Sequence, residues 1–486
     1  MKKRFPESLY QSLREIVGEN YITSNPLATF AYSQDASVFG GTQACMVMRP
    51  GSTEEVSRTL FLANEYRIPV VIRGGGASNY GQPKGVPGEN ILLDMTRMNR
   101  VLNINQKIMT VTAQCGIIMG KLQHACRKEG LYLFSPFAPL HIVSLGGWIS
   151  GVAGAAGLWR DIVGLTVVLP NGTVATIGGG PGTNIHQPLP FNRHLGGPDF
   201  TGLFIGDGGS FGIKTEATIR VTRFPSVMRA SAFVFDTMEE TLEMVGQHVE
   251  RVDPHPFDPI LVFCPEAMKN FLPNPEGKEI YTVMGMMQGH SVEEMDARLK
   301  AFNLIGEELG GGRDPSLNAM ADAMAASSNP EGGAGGGEMD WLAFFNGFGL
   351  ACWLPFNLPR EGFVENYRKL VSWRNERLKQ AERRGYQYTA KWEFFTPTDS
   401  SGIIGEIDVF FQDAQDPEVL QFVQTMMRDF QDYALHIGAI NTYTQGIASN
   451  LHVNHWSSGF KDLFKTIKLA LDPNNILNPD LWTGQD

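Results

Sequence analysis

Residues 69–82 read "PVVIRGGGASNYGQ": an apolar β-type run stops at Arg73, and three consecutive glycines follow before a polar tail. Glycines at Gly74, Gly75 and Gly76 can take backbone angles closed to other residues. They also let main-chain N–H groups reach an anion with no Cβ in the way. The next apolar run, "NILLDM", is strand-like rather than helical. The dinucleotide fingerprint of Rossmann folds needs a helix N-terminus directly behind its glycines, and "RGGGASNYG" also lacks that glycine spacing. A nicotinamide-type Rossmann site is therefore not expected at this loop.

Working outward, "ACMVMRP" from residue 44 reads as a strand. "STEEVSRTLFLANEYR" then opens with a capping box, Ser52 with Glu55 three residues on, and "PVVI" completes a β-α-β unit. A second glycine-dense region, "SLGGWISGVAGAAG" at 144–157, leads into "RDIVGLTVVLPNGTVATIGGG", which reads as strand, Asn-Gly turn and strand. A third, "GLFIGDGGSFGIKTEATIRV" at 202–221, is a glycine loop running into an alternating strand. Between about 226 and 440 the glycine signatures thin out, helices such as "VENYRKLVSWRNERLKQAERR" lengthen, and strands such as "GEIDVFFQ" appear, which predicts a separate domain. Its low-complexity stretch at 309–339 is expected to be either a disordered surface loop or a lid. The chain closes with an amphipathic helix, "FKDLFKTIKLAL", and the turn-rich "DPNNILNPDLW".

At 486 residues the chain exceeds what one hydrophobic core usually serves, so two or more domains are expected. With 43% hydrophobic and 19% charged residues the composition is that of a soluble globular protein. A net charge of -11 argues against nucleic acid or an anionic membrane as partner, since both reward clustered Lys and Arg. The N-terminus lacks the apolar core of a signal peptide and no stretch is long and uncharged enough to span a bilayer, so a cytoplasmic location is expected. Cys45, Cys115, Cys126, Cys264 and Cys352 include no Cys-x-x-Cys pair, which fits neither a zinc site nor a disulfide framework. His452 and His455 are too few for a metal centre without nearby carboxylates, and no metal site is expected. His141, ahead of the second glycine region, reads equally as a ligand neighbour or a packed loop residue.

Three glycine loops at strand ends, with no metal cluster and no Walker lysine, suggest a long ligand with a diphosphate lying in an extended groove. FAD is the commonest ligand of that shape. The order "RGGGAS" (73–78), "SLGG" with its following glycines (144–157), "GDGGSFGIKTEA" (206–217) and "DPNNILNP" (472–479) resembles the flavoproteins of the vanillyl-alcohol oxidase / p-cresol methylhydroxylase family. "SNYGQPKGVPGENILLDMTRMNRVL" (78–102) and the order "GFGLACWLPF", long helix, paired strands, helix, "GAINTY" resemble its 4-alkylphenol oxidising branch. The resemblance implies an α+β fold: a two-subdomain FAD-binding domain at 1–225, an α/β cap with an antiparallel sheet at 226–440, and a C-terminal return at 441–486.

It further implies that Arg73, Gly74, Gly75, Gly76, Ala77 and Ser78 cradle the FAD pyrophosphate. Ser144, Gly146, Gly147, Ile149, Gly151, Val152 and Gly154 would pass along the flavin and phosphates, Ile213 would stand against the cofactor, and Asn478 would approach the isoalloxazine ring. Ala77 takes the place of a tethering histidine, no cysteine stands ahead of the second loop in "FAPLHIVSLGG", and Gly405 and Glu406 stand near a third tethering point. Non-covalent FAD is therefore expected. By the same resemblance that makes the flavin a weaker oxidant.

For chemistry, Tyr80 matches the first-loop tyrosine that holds a phenolate, while Ile440 and Asn441 stand where the branch has a Tyr-Arg pair. Tyr443 is the candidate replacement anchor. Glu406 and Asp408 alternate on one strand and share a face; two acids so placed are usually solvated, and Glu406 is the candidate acid-base group. The resulting expectation is an FAD-dependent oxidoreductase, oxidase or dehydrogenase, moving hydride from a small aromatic or hydroxylated molecule to flavin N5. A sugar, hydroxy-acid or amine enzyme of the same family, or a flavin-binding protein with a decayed pocket, are the alternatives. The expected partners are a small-molecule substrate and oxygen or another electron acceptor, with a homodimer compatible and no nucleic acid or membrane.

Overall fold

The computed structural model describes residues 6–133, 140–151, 160–252, 260–271, 279–327, 348–397, 401–413, 415–440 and 445–484. The chain divides into two compact units, one of Met1–Gly154, Leu158–Thr222 and Tyr443–Asp486, the other of Ala155–Gly157 and Arg223–Thr442.

The first unit opens with α1 (Glu7–Val17) and β1 (Ile22–Thr23), followed by β2 (Met46–Met48), α2 (Thr53–Glu65), β3 (Val70–Arg73) and β4 (Ile91–Asp94). The capping box at the start of α2 forms: Ser52 Oγ accepts from Glu55 N at 3.1 Å, while Glu55 reaches back to Gly51 N at 2.8 Å. Strands order as β1-β2-β4-β3, with β2, β4 and β3 parallel, as a β-α-β crossover requires. After β5 (Val101–Asn105), β6 (Thr110–Gln114), α3 (Met119–Lys128) and α4 (Leu145–Gly151) come β7 (Ile162–Val168), β8 (Val174–Gly178) and β9 (Ile213–Arg220). These build a second, antiparallel sheet ordered β5-β6-β9-β7-β8. The turn between β7 and β8 uses Gly172 at φ 86°, where a glycine meets no Cβ penalty. One core cluster joins α1, α2 and both sheets through Leu13, Val56, Leu60, Val70, Leu93, Val168 and Ile213.

The second unit is one seven-stranded antiparallel sheet. Its members are β10 (Val227–Phe235), α5 (Met238–Val252), β11 (Ile260–Phe263), β12 (Tyr281–Gly289), α6 (Val292–Glu308), α7 (Pro315–Ser327), β13 (Leu350–Cys352), β14 (Pro355–Pro359), α8 (Phe363–Arg383), β15 (Tyr388–Pro397), β16 (Gly402–Phe411) and α9 (Pro417–His436). The strand order is β10-β12-β11-β15-β16-β13, with β14 also on β16. Register puts Phe233, Val283, Val262, Phe395 and Gly405 in one row on one face. Onto that face helices dock by aromatic contacts, Phe302 of α6 on Phe233, Phe363 of α8 on Phe395 and Phe422 of α9 on Phe411. The opposite face carries Thr282, Phe263, Phe394 and Glu406 in one row and Trp392 with Asp408 in the next.

The low-complexity stretch departs from expectation in part. Residues 315–327 form α7, with Leu317 and Ala321 fully buried, because alanine and methionine favour helix even where side chains are small. The rest of it from 328 lies outside the described residues. The chain returns to the first unit with α10 (Gly446–His455) and α11 (Ser458–Leu471). Among the described residues no helix is long and apolar enough to cross a membrane, and all five cysteines are free thiols.

Candidate functional site

The parallel register of β3 with β4, Val70 on Ile91 through Arg73 on Asp94, releases the first glycine loop at the C-terminal ends of the strands. The six N–H groups of Gly74, Gly75, Gly76, Ala77, Ser78 and Asn79 donate to nothing among the described residues. Beside them lies the Arg73 guanidinium. Its Nη1 donates to Tyr32 O at 3.3 Å and to Gln82 Oε1, and it stands 5.7 Å over the Tyr32 ring. Gly76, at φ 76°, makes room for it, since a Cβ there would collide with Arg73 Nη2. Consecutive unspent amides next to a fixed cation are the donor set a diphosphate needs, and the residues present fit the pyrophosphate of FAD.

The second loop is spent differently. Ser144 caps α4, its Oγ accepting from Gly147 N at 3.2 Å and its carbonyl from Trp148 N at 2.9 Å. Leu145 N donates to Ile117 O and Gly146 N to Cys115 O, so the first amides of this helix bind their own protein. Glycines of both loops allow their close packing: a Cβ at Gly74 of the first loop would strike Ser144 Oγ and one at Gly75 the Ile142 carbonyl, while in the second loop one at Gly146 would come within 3.0 Å of Cys115 Cβ and one at Gly151 would strike Gln445. Val152 and Gly154 lie outside the described residues. Ile149 is buried, and its carbonyl accepts from Gly206 N at 2.9 Å.

In the third loop Gly206 N and Gly208 N donate to Ile149 O and Ser150 O. Gly209 N and Phe211 N donate to the Asp207 carboxylate, and Ser210 N to the Asp207 carbonyl. Asp207 pairs with Lys214 at 2.5 Å, both side chains almost fully buried. Lys214 also donates to Phe204 O, and Lys468, held by Asp472 at 2.6 Å, donates to Ser210 O and Leu477 O. Burial lowers the Lys468 pKa, opposed by Asp472 and Asp207. The only local sign of this four-residue brace in the residues is Lys214 at the start of an otherwise largely apolar strand.

Asn478 joins the loops. It is buried, at φ 40°, and its Oδ1 accepts from Ile72 N at 3.2 Å while its Nδ2 donates to Gly208 O at 2.7 Å. Its amide is thus committed at both ends. The Ile213 side chain belongs to the core cluster. Tyr80 is fully buried, stacked on Phe39 with centroids 6.2 Å apart, and its carbonyl accepts from Ile447 N at the start of α10. On that helix His452 is buried, its pKa pushed down to about 4 by desolvation and by His455.

In the second unit the expectation of two solvated acids is corrected. Asp408 is fully buried, in register with the equally buried Trp392 of β15 on the same sheet face. Asp408 Oδ1 accepts from Leu354 N at 2.6 Å, and burial together with the neighbouring Glu406 raises its pKa well above the usual carboxylate range. Glu406, beside it on the same strand face, is half-buried. Ile440 is exposed and exchanges backbone hydrogen bonds with Asn357; Asn441 and Tyr443 lie outside the described residues. No group of three His, Cys, Asp or Glu among the described residues could hold a metal ion.

Residues 44–186 match the family described as FAD binding domain. The chain is 30% identical over 234 residues to glycolate oxidase subunit GlcD of Bacillus subtilis (strain 168), a match covering 47% of each chain. The chain thus spans about half the length of that curated relative. In structure it is similar to 4-ethylphenol oxidase from Gulosibacter chungangensis in complex with isoeugenol, with a TM-score of 0.78 and 20% identity over 98% of this chain and 96% of that one. It is equally similar to p-cresol methylhydroxylase with substrate bound, TM-score 0.78, at 19% identity over 99% and 97% of the two chains.

Proposed function

From the premise that residues 44–186 are an FAD binding domain in a chain with the fold of the vanillyl-alcohol oxidase type, we propose that the protein is an FAD-dependent oxidoreductase. Its substrate is a small aromatic or hydroxylated molecule. The observation that carries this reading is the first loop, six unspent amides beside Arg73, which supplies a diphosphate site and little else. In this reading the first unit is the FAD-binding domain and the second the substrate cap. When bound, the flavin accepts hydride at N5.

The chain's own residues supply the rest. With Ala77 in place of a tether, FAD is held non-covalently by the first-loop amides and Arg73. Tyr80 orients a substrate hydroxyl, Tyr443 is a second anchor, and Glu406 accepts the proton released on oxidation. Five free thiols suit a reducing cytoplasm. A second copy of the chain is compatible with this reading, and oxygen or another acceptor reoxidises the flavin.

A second substrate class, the 2-hydroxy acids, is favoured by the likeness to glycolate oxidase subunit GlcD. Anaerobic titration of the purified flavoprotein separates the two. Bleaching of the flavin by 4-alkylphenols or aryl alcohols supports the first reading, and bleaching only by 2-hydroxy acids replaces it with the second. Reduction by neither panel leaves a flavin-binding protein without this chemistry. Acid precipitation should give a yellow supernatant over a colourless pellet; a yellow pellet refutes non-covalent binding.

A further inference from the structure

Arg73 is held by neutral groups alone. Lys214, Lys468 and Arg374 each face a carboxylate, that of Asp207, Asp472 and Glu393 respectively. Arg73 has no carboxylate partner among the described residues, and its Nη1 donates to the Tyr32 carbonyl and to Gln82 Oε1, both uncharged. A guanidinium carries five N–H donors in one rigid plane. Those on Nη1 are spent on Tyr32 and Gln82, while Nε and Nη2 donate to nothing among the described residues. That unspent edge faces the first loop: a Cβ at Gly76 would strike Nη2 and lie 2.8 Å from Cζ and 3.4 Å from Nε. Residues 73 to 79 are all half-buried, so the edge and the loop amides are open to solvent together.

Gln82 fixes this arrangement from the tail of the same loop, where it is 4% exposed. Its side-chain amide can sit only one way round. Nε2 donates at 2.9 Å to the Tyr32 carbonyl, which accepts and cannot donate, so Oε1 is left to face Arg73 Nη1. Gln82 N donates to Asp35 Oδ2 at 2.6 Å, and on the other side Gly41 packs so close that a Cβ there would strike Gln82 Nε2. The same segment, residues 32–41, also binds the loop itself, Ala36 N donating to Gly76 O at 2.9 Å.

We infer that Gln82 is a positioning residue for the cofactor: by engaging Nη1 it turns the Nε–Nη2 edge of Arg73 towards the first-loop amides, where that edge serves the pyrophosphate as a two-pronged donor. Two N–H groups on one planar edge match two oxygens of a phosphate. An uncharged amide suits the task where a carboxylate would not, because a carboxylate at this position would neutralise the cation that the anion needs. The inference rests on the FAD reading above. It adds to that reading a residue that acts through Arg73.

The test is FAD binding by apoprotein, measured by quenching of flavin fluorescence, in a double-mutant cycle of Gln82→Met and Arg73→Gln. Gln82→Met keeps the length of the side chain and removes the acceptor. It should raise Kd about tenfold where Arg73 is present, which is about 1.4 kcal/mol, and change it by less than about twofold in the Arg73→Gln background. Equal rises in both backgrounds, the mark of a purely structural role, overturn the inference, and so does a wild-type Kd in Gln82→Met. Gln82→Asn, one methylene shorter and so out of reach of Nη1, is carried through the same cycle should Gln82→Met not fold, with the same outcomes expected. Failure of wild type to bind FAD overturns the reading beneath the inference instead.

Discussion

The first and third loops each carry three glycines at a strand end, Gly74, Gly75 and Gly76 against Gly206, Gly208 and Gly209, yet their amides are used in opposite ways. In the first, the N–H groups from Gly74 to Asn79 are unspent. In the third, Gly206, Gly208, Gly209, Ser210 and Phe211 all donate within the protein, three of them to Asp207. One loop therefore keeps its amides open among the described residues, while the other is a brace that holds α4 and the C-terminal return. Glycine content reports that a backbone must pass close to something; the hydrogen-bond ledger reports whether that something is protein or ligand.

If this division holds, variants of the two loops separate by what they damage. The largest effect is expected from Lys214→Met, which strands the Asp207 carboxylate in the interior. Loss of one partner of a buried pair costs about 3–5 kcal/mol, seen as a lowered denaturant midpoint of the apoprotein; an unchanged midpoint would mean the third loop is no brace. Gly75→Ala follows. Its Cβ meets the Ile142 carbonyl, so the loop must shift, at about 1–3 kcal/mol as for other overpacked sites, and purified protein should retain less than a tenth of the wild-type flavin. Next, Arg73→Gln removes a charge-assisted interaction of about 1.5–3 kcal/mol, raising the FAD Kd roughly tenfold to a hundredfold. The apoprotein midpoint should move far less than in Lys214→Met, and the reverse pattern would erase the distinction.

The smallest effect concerns pH. His452, on the helix whose start meets the Tyr80 carbonyl, has a folded pKa of about 4, below its unfolded value of 6.5. The unfolded chain binds the proton first, so the stabilisation is complete above about pH 6.5 and is lost as pH falls towards 4. Flavin retention should therefore decline across that window, and His452→Gln should flatten the decline; an identical profile in the variant would detach this helix from the first loop's support.

Much of this architecture was legible in the residues. The capping box at Ser52 and Glu55, the strands around 46–48, 70–73 and 91–94, and the long helix at 363–383 are local patterns, and each formed. The position of the first loop was legible too, because a strand followed by three glycines leaves few alternatives. What could not be read is which amides remain unspent, since that depends on Asp207, Lys214 and Lys468 meeting in three dimensions. The burial of Asp408 was invisible for the same reason: strand alternation gives the face of a sheet, and the tertiary packing over that face decides whether water reaches it. Residues 315–327 were misjudged because low complexity masked a run of good helix formers.

Asn478 has one more consequence. Its partner Ile72 lies 406 positions earlier in the chain, so the bond that ties β3 to the third loop closes a loop of 406 residues. Contacts of such separation form slowly, because the chain entropy is lost before the contact gives anything back. During synthesis the glycine-bearing segment emerges well before residue 478 is added. A chain lacking residue 478 would have neither the Ile72 nor the Gly208 contact of this side chain, and its first and third loops would lose the bond between them.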